Sequence, residues 1–175
     1  MASRVNNQQT ITTGRRRWPV ILFVLIVAIA GFLLMLRRAV RATNRDAWAC
    51  SVVDVISAAT LKYMEQSNAS PESIDQLVAT GFLIVDTKSD GITISTPEPY
   101  YVGPVRIDSL SKIRLRLPKS IEGWRVVGDS VVGRDGEEIG LSLVEIVGET
   151  YLPDGLAQRA NRRFARQWFE ATRGE

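Results

Sequence analysis

The stretch that decides the fold is RRRWPVILFVLIVAIAGFLLMLRR, residues 15–38. Its middle part, Trp18 to Leu36, is nineteen residues long and contains no charged side chain. At about 1.5 Å per residue, a helix over this part is roughly 29 Å long, which matches the hydrocarbon thickness of a bilayer. The sequence therefore predicts one transmembrane helix, residues 18–36, in a single-pass membrane protein.

Both ends of this apolar run are typical of a membrane boundary. Trp18 is placed where an interfacial indole ring lies, and Pro19 falls in the first turn, where its missing N–H costs least. A cleaved signal peptide is the alternative, but its apolar stretch is normally shorter and ends at small residues. We therefore expect an uncleaved anchor. Its predicted lipid contacts are Trp18, Pro19, Phe23, Phe32 and Leu36, and its predicted flanking residues are Arg15, Arg16, Arg17, Arg37 and Arg38.

Charge is distributed unevenly along the 175 residues. Residues 1–45 contain eight arginines and no acid, residues 46–152 sixteen acids against nine bases, and residues 153–175 five bases against three acids. The middle region is therefore acidic, and the basic ends are typical of segments that contact membrane phosphates. Because no nucleic-acid-binding motif accompanies them, we expect the lipid bilayer and other membrane or envelope proteins as partners, and no nucleic acid.

The helical pattern continues beyond the anchor. No proline or glycine occurs between Arg37 and Gln66, and apolar residues recur there at helical spacing. These residues are Trp48, Val52, Ile56, Ala59 and Tyr63. A second, short helix is predicted with Ser70 as its N-cap, Pro71 in its first position and Gly81 in the left-handed conformation that ends it.

From Phe82 onward the apolar period changes to two, which indicates β-strands separated by turn sequences. The predicted strands are 82–85, 92–95, 113–117, 124–127, 131–132 and 139–147. We expect an α+β fold in which the transmembrane helix continues into a long amphipathic helix packed on a small antiparallel sheet. The predicted regions are a basic tail (1–17), the anchor (18–36), the α+β domain (37–152) and a basic amphipathic C-terminal helix (153–175).

The order of these segments resembles type IV pilins and the pseudopilins of type II secretion. The likeness lies in DAWACSVVDVISAATLKYMEQ (46–66) and SPESIDQLVATGFL (70–83). The family's N-terminal cleavage motif is not matched, since Gly14 is followed by arginines and the first acidic residue is Asp46. The resemblance implies a pilin-like domain on a permanent anchor, not a subunit that polymerises into a fibre. The matching positions are Ala49, Cys50, Ile56, Ala59, Tyr63, Pro71, Ser73, Leu77, Val78, Gly81, Phe82 and Leu83.

The side of the membrane follows only from this resemblance. Four arginines lie on each side of the anchor, so the positive-inside rule gives no direction. In the family, the globular head lies outside the cytoplasm. The resemblance therefore implies a protein of the bacterial inner (cytoplasmic) membrane with a cytoplasmic N-terminus and an extracytoplasmic main domain.

The C-terminal segment predicts a basic amphipathic helix, in which apolar residues repeat every four positions and arginines occupy the remaining surface. Three interpretations stay open: a helix packed on its own domain with solvated arginines, a helix on anionic lipid headgroups, and a helix in a partner's groove. The residues predicted to contact a partner or lipid are Arg159, Arg162, Arg163, Phe164, Arg166, Trp168 and Phe169.

Catalysis has little support in the sequence. The chain contains no histidine, and it has no Cys/His metal spacing, phosphate-binding glycine loop or nucleophile elbow. Its one cysteine, Cys50, excludes an internal disulfide and predicts a half-buried thiol. We therefore expect a protein without enzyme activity, cofactor or metal. The leading interpretation is a pseudopilin-like component of a secretion or envelope apparatus. The alternative is a lineage-specific structural subunit of a larger membrane complex, and a homo-oligomer is compatible with either.

Overall fold

The structure, a computed structural model, describes residues 18–89, 91–139, 143–149 and 151–174. The chain divides into two units, Met1–Ala42 and Thr43–Glu175. In chain order, the helices and strands are α1 (Trp18–Ser67), α2 (Ile74–Ala79), β1 (Ile84–Lys88), β2 (Gly91–Ser95), β3 (Val105–Ile107), β4 (Ile113–Leu115), β5 (Arg125–Val127), β6 (Ser130–Val132), β7 (Val144–Ile146) and α3 (Leu156–Arg173). The predicted α+β fold class is confirmed.

In the second unit, the part of α1 from residue 43 to residue 67 places one apolar face against the core. Val52, Ile56 and Ala59 are fully buried, Tyr63 is nearly so, and Trp48 is half-buried. Spacings of three and four residues place these side chains on one side of the helix. The predicted amphipathic continuation beyond the anchor is therefore confirmed.

Helix α2 begins later than the sequence predicted. Ser73 is its N-cap: the backbone there is extended, and Ser73 Oγ accepts a hydrogen bond from the Gln76 N–H at 3.3 Å. The prediction of Ser70 as N-cap and Pro71 as first helical residue was wrong. Both serines precede the same apolar run, and the hydroxyl of Ser73 is the one that caps the first turn, while Pro71 is buried in the loop before it.

The end of α2 follows the prediction. Gly81 has a φ of +80°, and its N–H donates to the Val78 carbonyl at 3.1 Å. The N–H groups of Phe82 and Leu83 donate to the Leu77 carbonyl at 2.9 and 3.0 Å. This bonding satisfies carbonyls that the last helical turn leaves open. Because Phe82 and Leu83 close the helix, the strand predicted from residue 82 begins at Ile84.

Within the described residues, the strands form three small antiparallel sheets where the sequence predicted one. β1, β2 and β3 form a three-stranded sheet in that order, β4 pairs with β7, and β5 pairs with β6. The β5–β6 hairpin lies along the chain between β4 and β7, so β4 pairs with a distant strand. The predicted run 139–147 lies partly outside the described residues, and its described part contains one strand, Val144–Ile146.

Candidate membrane anchor and contact surfaces

The predicted anchor is exposed along its whole length. The exposed fraction is 75% for Trp18, 67% for Phe23, 66% for Phe32 and 49% for Leu36, and Pro19 is also exposed. Among the described residues, α1 is the one helix long and apolar enough to cross a membrane. In water, each exposed large apolar side chain forgoes about 1.5–3 kcal/mol of burial free energy, whereas lipid tails supply an apolar surrounding.

Of the predicted flanking arginines, the structure describes those at the C-terminal end of the apolar run. Arg37 and Arg38 come directly after the apolar run and are exposed. Arg15, Arg16 and Arg17 lie outside the described residues. Lipid contact by these guanidinium groups stays a prediction, with which their exposure at the end of an apolar helix is compatible.

The structure corrects the prediction that aromatic residues of the C-terminal helix contact lipid or a partner. Phe164 and Trp168 are each 1% exposed and Phe169 is 3% exposed, because all three pack into the core of the second unit. The ring of Trp124 stacks on Phe169 with centroids 6.4 Å apart, and Trp168 Nε1 donates to Ser70 Oγ at 3.3 Å. The apolar face of α3 is therefore packed on its own domain.

The arginines of α3 mostly form ion pairs within the domain. The pairs are Arg162 with Glu138 (2.7 Å) and Asp154 (2.9 Å), Arg163 with Asp54 (2.5 Å), and Arg166 with Glu170 (2.9 Å) and Asp129 (4.0 Å). Arg159 is exposed and makes no ion pair within the described part of the chain. Exposed pairs contribute little to stability, but these pairs reduce the positive charge that α3 offers to an anionic surface.

The Arg162–Glu138 pair is the least exposed of these, with side chains 23% and 26% exposed. The hydrogen bond from Arg162 lowers the pKa of Glu138 below its ordinary value, and the Ser130 hydroxyl adds to this effect. Because the pKa of Glu138 is lower in the folded chain than in the unfolded chain, the unfolded chain binds more protons as the solution becomes acidic. The contribution to stability is therefore present above the ordinary glutamate pKa and is lost as the pH falls through the lowered one.

Replacing Glu138 with glutamine is expected to lower the free energy of unfolding by about 1 kcal/mol at pH 7. The difference from the unmodified chain should be smaller at pH 3, because Glu138 loses its negative charge as the pH falls through its lowered pKa, whereas glutamine is uncharged at either pH. Urea unfolding of the full chain in detergent at both pH values measures this. Glu137→Gln is the control, since Glu137 is exposed and makes no ion pair among the described residues. An equal loss for both variants would contradict the proposed role of the pair.

An acidic residue of α1 caps the C-terminal helix from a distance. Gly155 occupies the N-cap position of α3 and has no side chain to offer. The carboxylate of Asp46, 8% exposed, takes that role: it accepts from the Leu156 N–H at 2.7 Å and from the Ala157 N–H at 3.4 Å. A Cβ at position 155 would lie 2.6 Å from Asp46 Oδ1, so only glycine permits this approach. This contact was not predicted from the sequence, whose signal for it is that Gly155, ahead of α3, has no side chain to cap the helix.

Replacing Asp46 with alanine is expected to lower the free energy of unfolding by about 2 kcal/mol, since it removes a buried, charged acceptor from a helix N-terminus. Asp46→Asn keeps an acceptor and should lose less than half as much. Chemical unfolding of the full chain gives these values, and faster amide exchange at Leu156 and Ala157 should accompany them. Asp129→Ala, at a fully exposed position, is the control. Unchanged exchange at both amides in Asp46→Ala would refute the cap.

Cys50 is half-buried on α1, as predicted, and its Sγ lies 3.7 Å from Asp54 Oδ2. Burial, and after it the negative charge of Asp54, raise the pKa of the Cys50 thiol. A thiol with a raised pKa is protonated near neutral pH and reacts slowly. Labelling experiments on this chain therefore need an introduced cysteine at an exposed position.

Within the described residues, no group of three or more His, Cys, Asp or Glu side chains is placed to hold a metal ion. Comparison of the chain with protein-family models, with curated proteins and with solved structures finds no match.

Proposed function

We propose that this chain is a single-pass membrane protein with a non-catalytic binding or assembly role, and that its domain lies outside the cytoplasm. The observation that carries the proposal is the uncovered apolar helix, residues 18–36, which continues along the chain into a unit with its own packed core. A helix of this length and composition fits the hydrocarbon core of a bilayer, whereas the second unit buries its own apolar side chains.

The role in a secretion or envelope apparatus rests on the resemblance to pseudopilins. It is supported by the order of elements: a long N-terminal helix, a short helix ended by Gly81, and antiparallel strands. The missing cleavage motif favours a permanently anchored accessory component over a fibre subunit. The same resemblance is the reason for placing the anchor in a bacterial inner membrane with the N-terminus in the cytoplasm.

Purification of the full chain from its own membranes in mild detergent tests this role. Quantitative mass spectrometry is expected to find secretion or envelope proteins in fixed ratio to the chain. The control is residues 1–42 fused to a fluorescent protein, which keeps the anchor and removes the domain. Recovery of the same partners by the control in equal yield would contradict a binding role for the domain. A stoichiometric large complex, such as an energy-transducing one, would replace the secretion role by that of a structural subunit.

A further inference from the structure

Strand β4 has one paired edge. Antiparallel register places Arg114 opposite Glu145 of β7. The Arg116 N–H donates to the Leu143 carbonyl at 2.7 Å, and the Val147 N–H donates to the Lys112 carbonyl at 2.7 Å. The backbone groups of residues 112, 114 and 116 therefore face β7, and those of Leu115 face the opposite side, because neighbouring residues in a strand alternate.

The outer edges of β4 and β7, which face away from the pairing between them, differ in whether side chains cover them. On β7, side chains cover the outer edge: the Val144 N–H donates to Asn161 Oδ1 at 3.0 Å and the Ile146 N–H donates to the Tyr151 hydroxyl at 3.1 Å. On β4, the N–H and carbonyl of Leu115 have no hydrogen-bond partner in the described part of the chain. The other outward-facing amide of β4, the Ile113 N–H, donates to the Leu110 carbonyl, so the open part of this edge is Leu115. Native folds usually pair or cover such backbone groups.

A groove runs beside this open edge. It has a volume of about 920 Å³, and apolar side chains contribute to its lining. These are Leu115, Leu117, Ile121 and Trp168. A second hollow of about 450 Å³ shares Glu72, Leu115 and Arg116 with it. The two hollows therefore meet at Leu115, where the backbone groups are open.

The two faces of β4 differ in charge, so a strand that pairs with its outer edge would meet different side chains on its two faces. Ile113 is buried and Leu115 half-buried, whereas Arg114 and Arg116 are exposed. Arg116 pairs with Glu145 at 2.5 Å, and Arg114 makes no ion pair among the described residues. Glu72 and Glu122 line the groove together with Arg116 and Lys119, so the charges of its lining balance, and Arg114 lines the second hollow beside it. An added strand would therefore place its outward residues beside arginine and its inward residues on apolar surface.

We propose that the open edge of β4 binds an extended segment of a partner protein as an added strand, with alternating apolar and acidic residues. The apolar residues lie in the groove over Leu115, and the acidic residues lie beside Arg114 and Arg116. Main-chain hydrogen bonds to Leu115 hold the segment, and the alternation sets its register. This inference rests on the proposed binding role and adds to it the chemistry of the partner.

The first test uses a fluorescein-labelled heptapeptide of alternating glutamate and valine, titrated into the full chain in lipid nanodiscs. We expect saturable binding below about 1 mM. Arg114→Glu should weaken it about fivefold, and should strengthen binding of the matched lysine–valine peptide by a similar factor, because cross-strand charge pairs reverse sign. Arg125→Glu, at an exposed arginine of β5, is the control and should change neither affinity.

The second test measures amide exchange with the peptide bound. The Leu115 amide should become protected at least tenfold, while the Arg116 amide, already bonded to β7, should change little. The proposal would be overturned if the glutamate–valine peptide did not bind at about 1 mM. It would also be overturned if Arg114→Glu bound this peptide as tightly as the unmodified chain does, or if the bound peptide left the exchange rate of the Leu115 amide unchanged. If membrane partners still co-purify with the chain in that case, the proposed function stands and the added strand alone is refuted.

Discussion

Replacing Trp168 with alanine is expected to lower the free energy of unfolding by about 3–5 kcal/mol, one of the two largest effects that this structure predicts. The indole ring is 1% exposed and lies against Trp124, with ring centroids 5.8 Å apart. Its Nε1 also donates to Ser70, which ties α3 to the loop before α2. Truncation therefore leaves a cavity and removes a hydrogen bond at the same place.

Near-ultraviolet circular dichroism of the full chain in detergent, followed through urea unfolding, measures this loss. The matched control is Gln167→Ala, at the preceding exposed position of α3, which should stay within about 0.5 kcal/mol of the unmodified chain. A loss below about 1 kcal/mol for Trp168→Ala would show that this face of α3 is not held in the core. Phe164, Trp168 and Phe169 would then again be candidates for contact with a partner or with lipid.

The second large effect concerns the anchor. Replacing both Ile26 and Ile29 with arginine is expected to move most of the chain out of the membrane fraction. Each side chain is more than half exposed, at 56% and 51%, so a charge introduced there would face the lipid. A central arginine costs about 2.5–3.5 kcal/mol in membrane insertion, so two of them change the partition by several orders of magnitude.

Alkaline carbonate extraction of cell membranes, followed by immunoblotting, measures this partition. Conversion of Ile26 and Ile29 to leucine is the control, because it preserves apolar surface and should leave the chain in the pellet. Retention of the double arginine variant in the carbonate-resistant fraction would contradict a spanning role for residues 18–36. It would instead favour attachment through another part of the protein.

The helices could be predicted from the sequence because their signals are local. The apolar face of α1 in the second unit follows from residues spaced by three and four, such as Val52, Ile56 and Ala59. The end of α2 follows from one glycine, Gly81, whose positive φ other residues avoid. In both cases, the residues that determine the structure lie within a few positions of one another.

The contacts that hold α3 could not be predicted because they join distant residues. Asp46 caps a helix that begins 110 positions later, and no pattern within either segment specifies this pairing. The amphipathic pattern of α3 fits core packing, lipid and a partner equally, since all three offer an apolar surface. Burial of Phe164, Trp168 and Phe169 distinguishes among them only once the whole domain is assembled.

The sequence predicted that antiparallel strands form, but it did not predict which strands pair with each other. Alternation of apolar residues places strands correctly near 92–95, 113–115 and 125–127. It carries no information on which strand lies beside which, and β4 pairs with β7 across the intervening β5–β6 hairpin. The side chains that cover the outer edge of β7, Asn161 and Tyr151, come from outside the strands altogether.

The central claim, a spanning anchor that separates a cytoplasmic tail from an extracytoplasmic domain, is tested most directly by paired cysteine labelling in intact cells. In a Cys50→Ser background, one variant carries Ser3→Cys and the other Asp129→Cys, at a fully exposed position of the domain. An impermeant maleimide is expected to label residue 129 from outside and residue 3 only after the membrane is opened. Labelling of both residues from the same side would contradict the account.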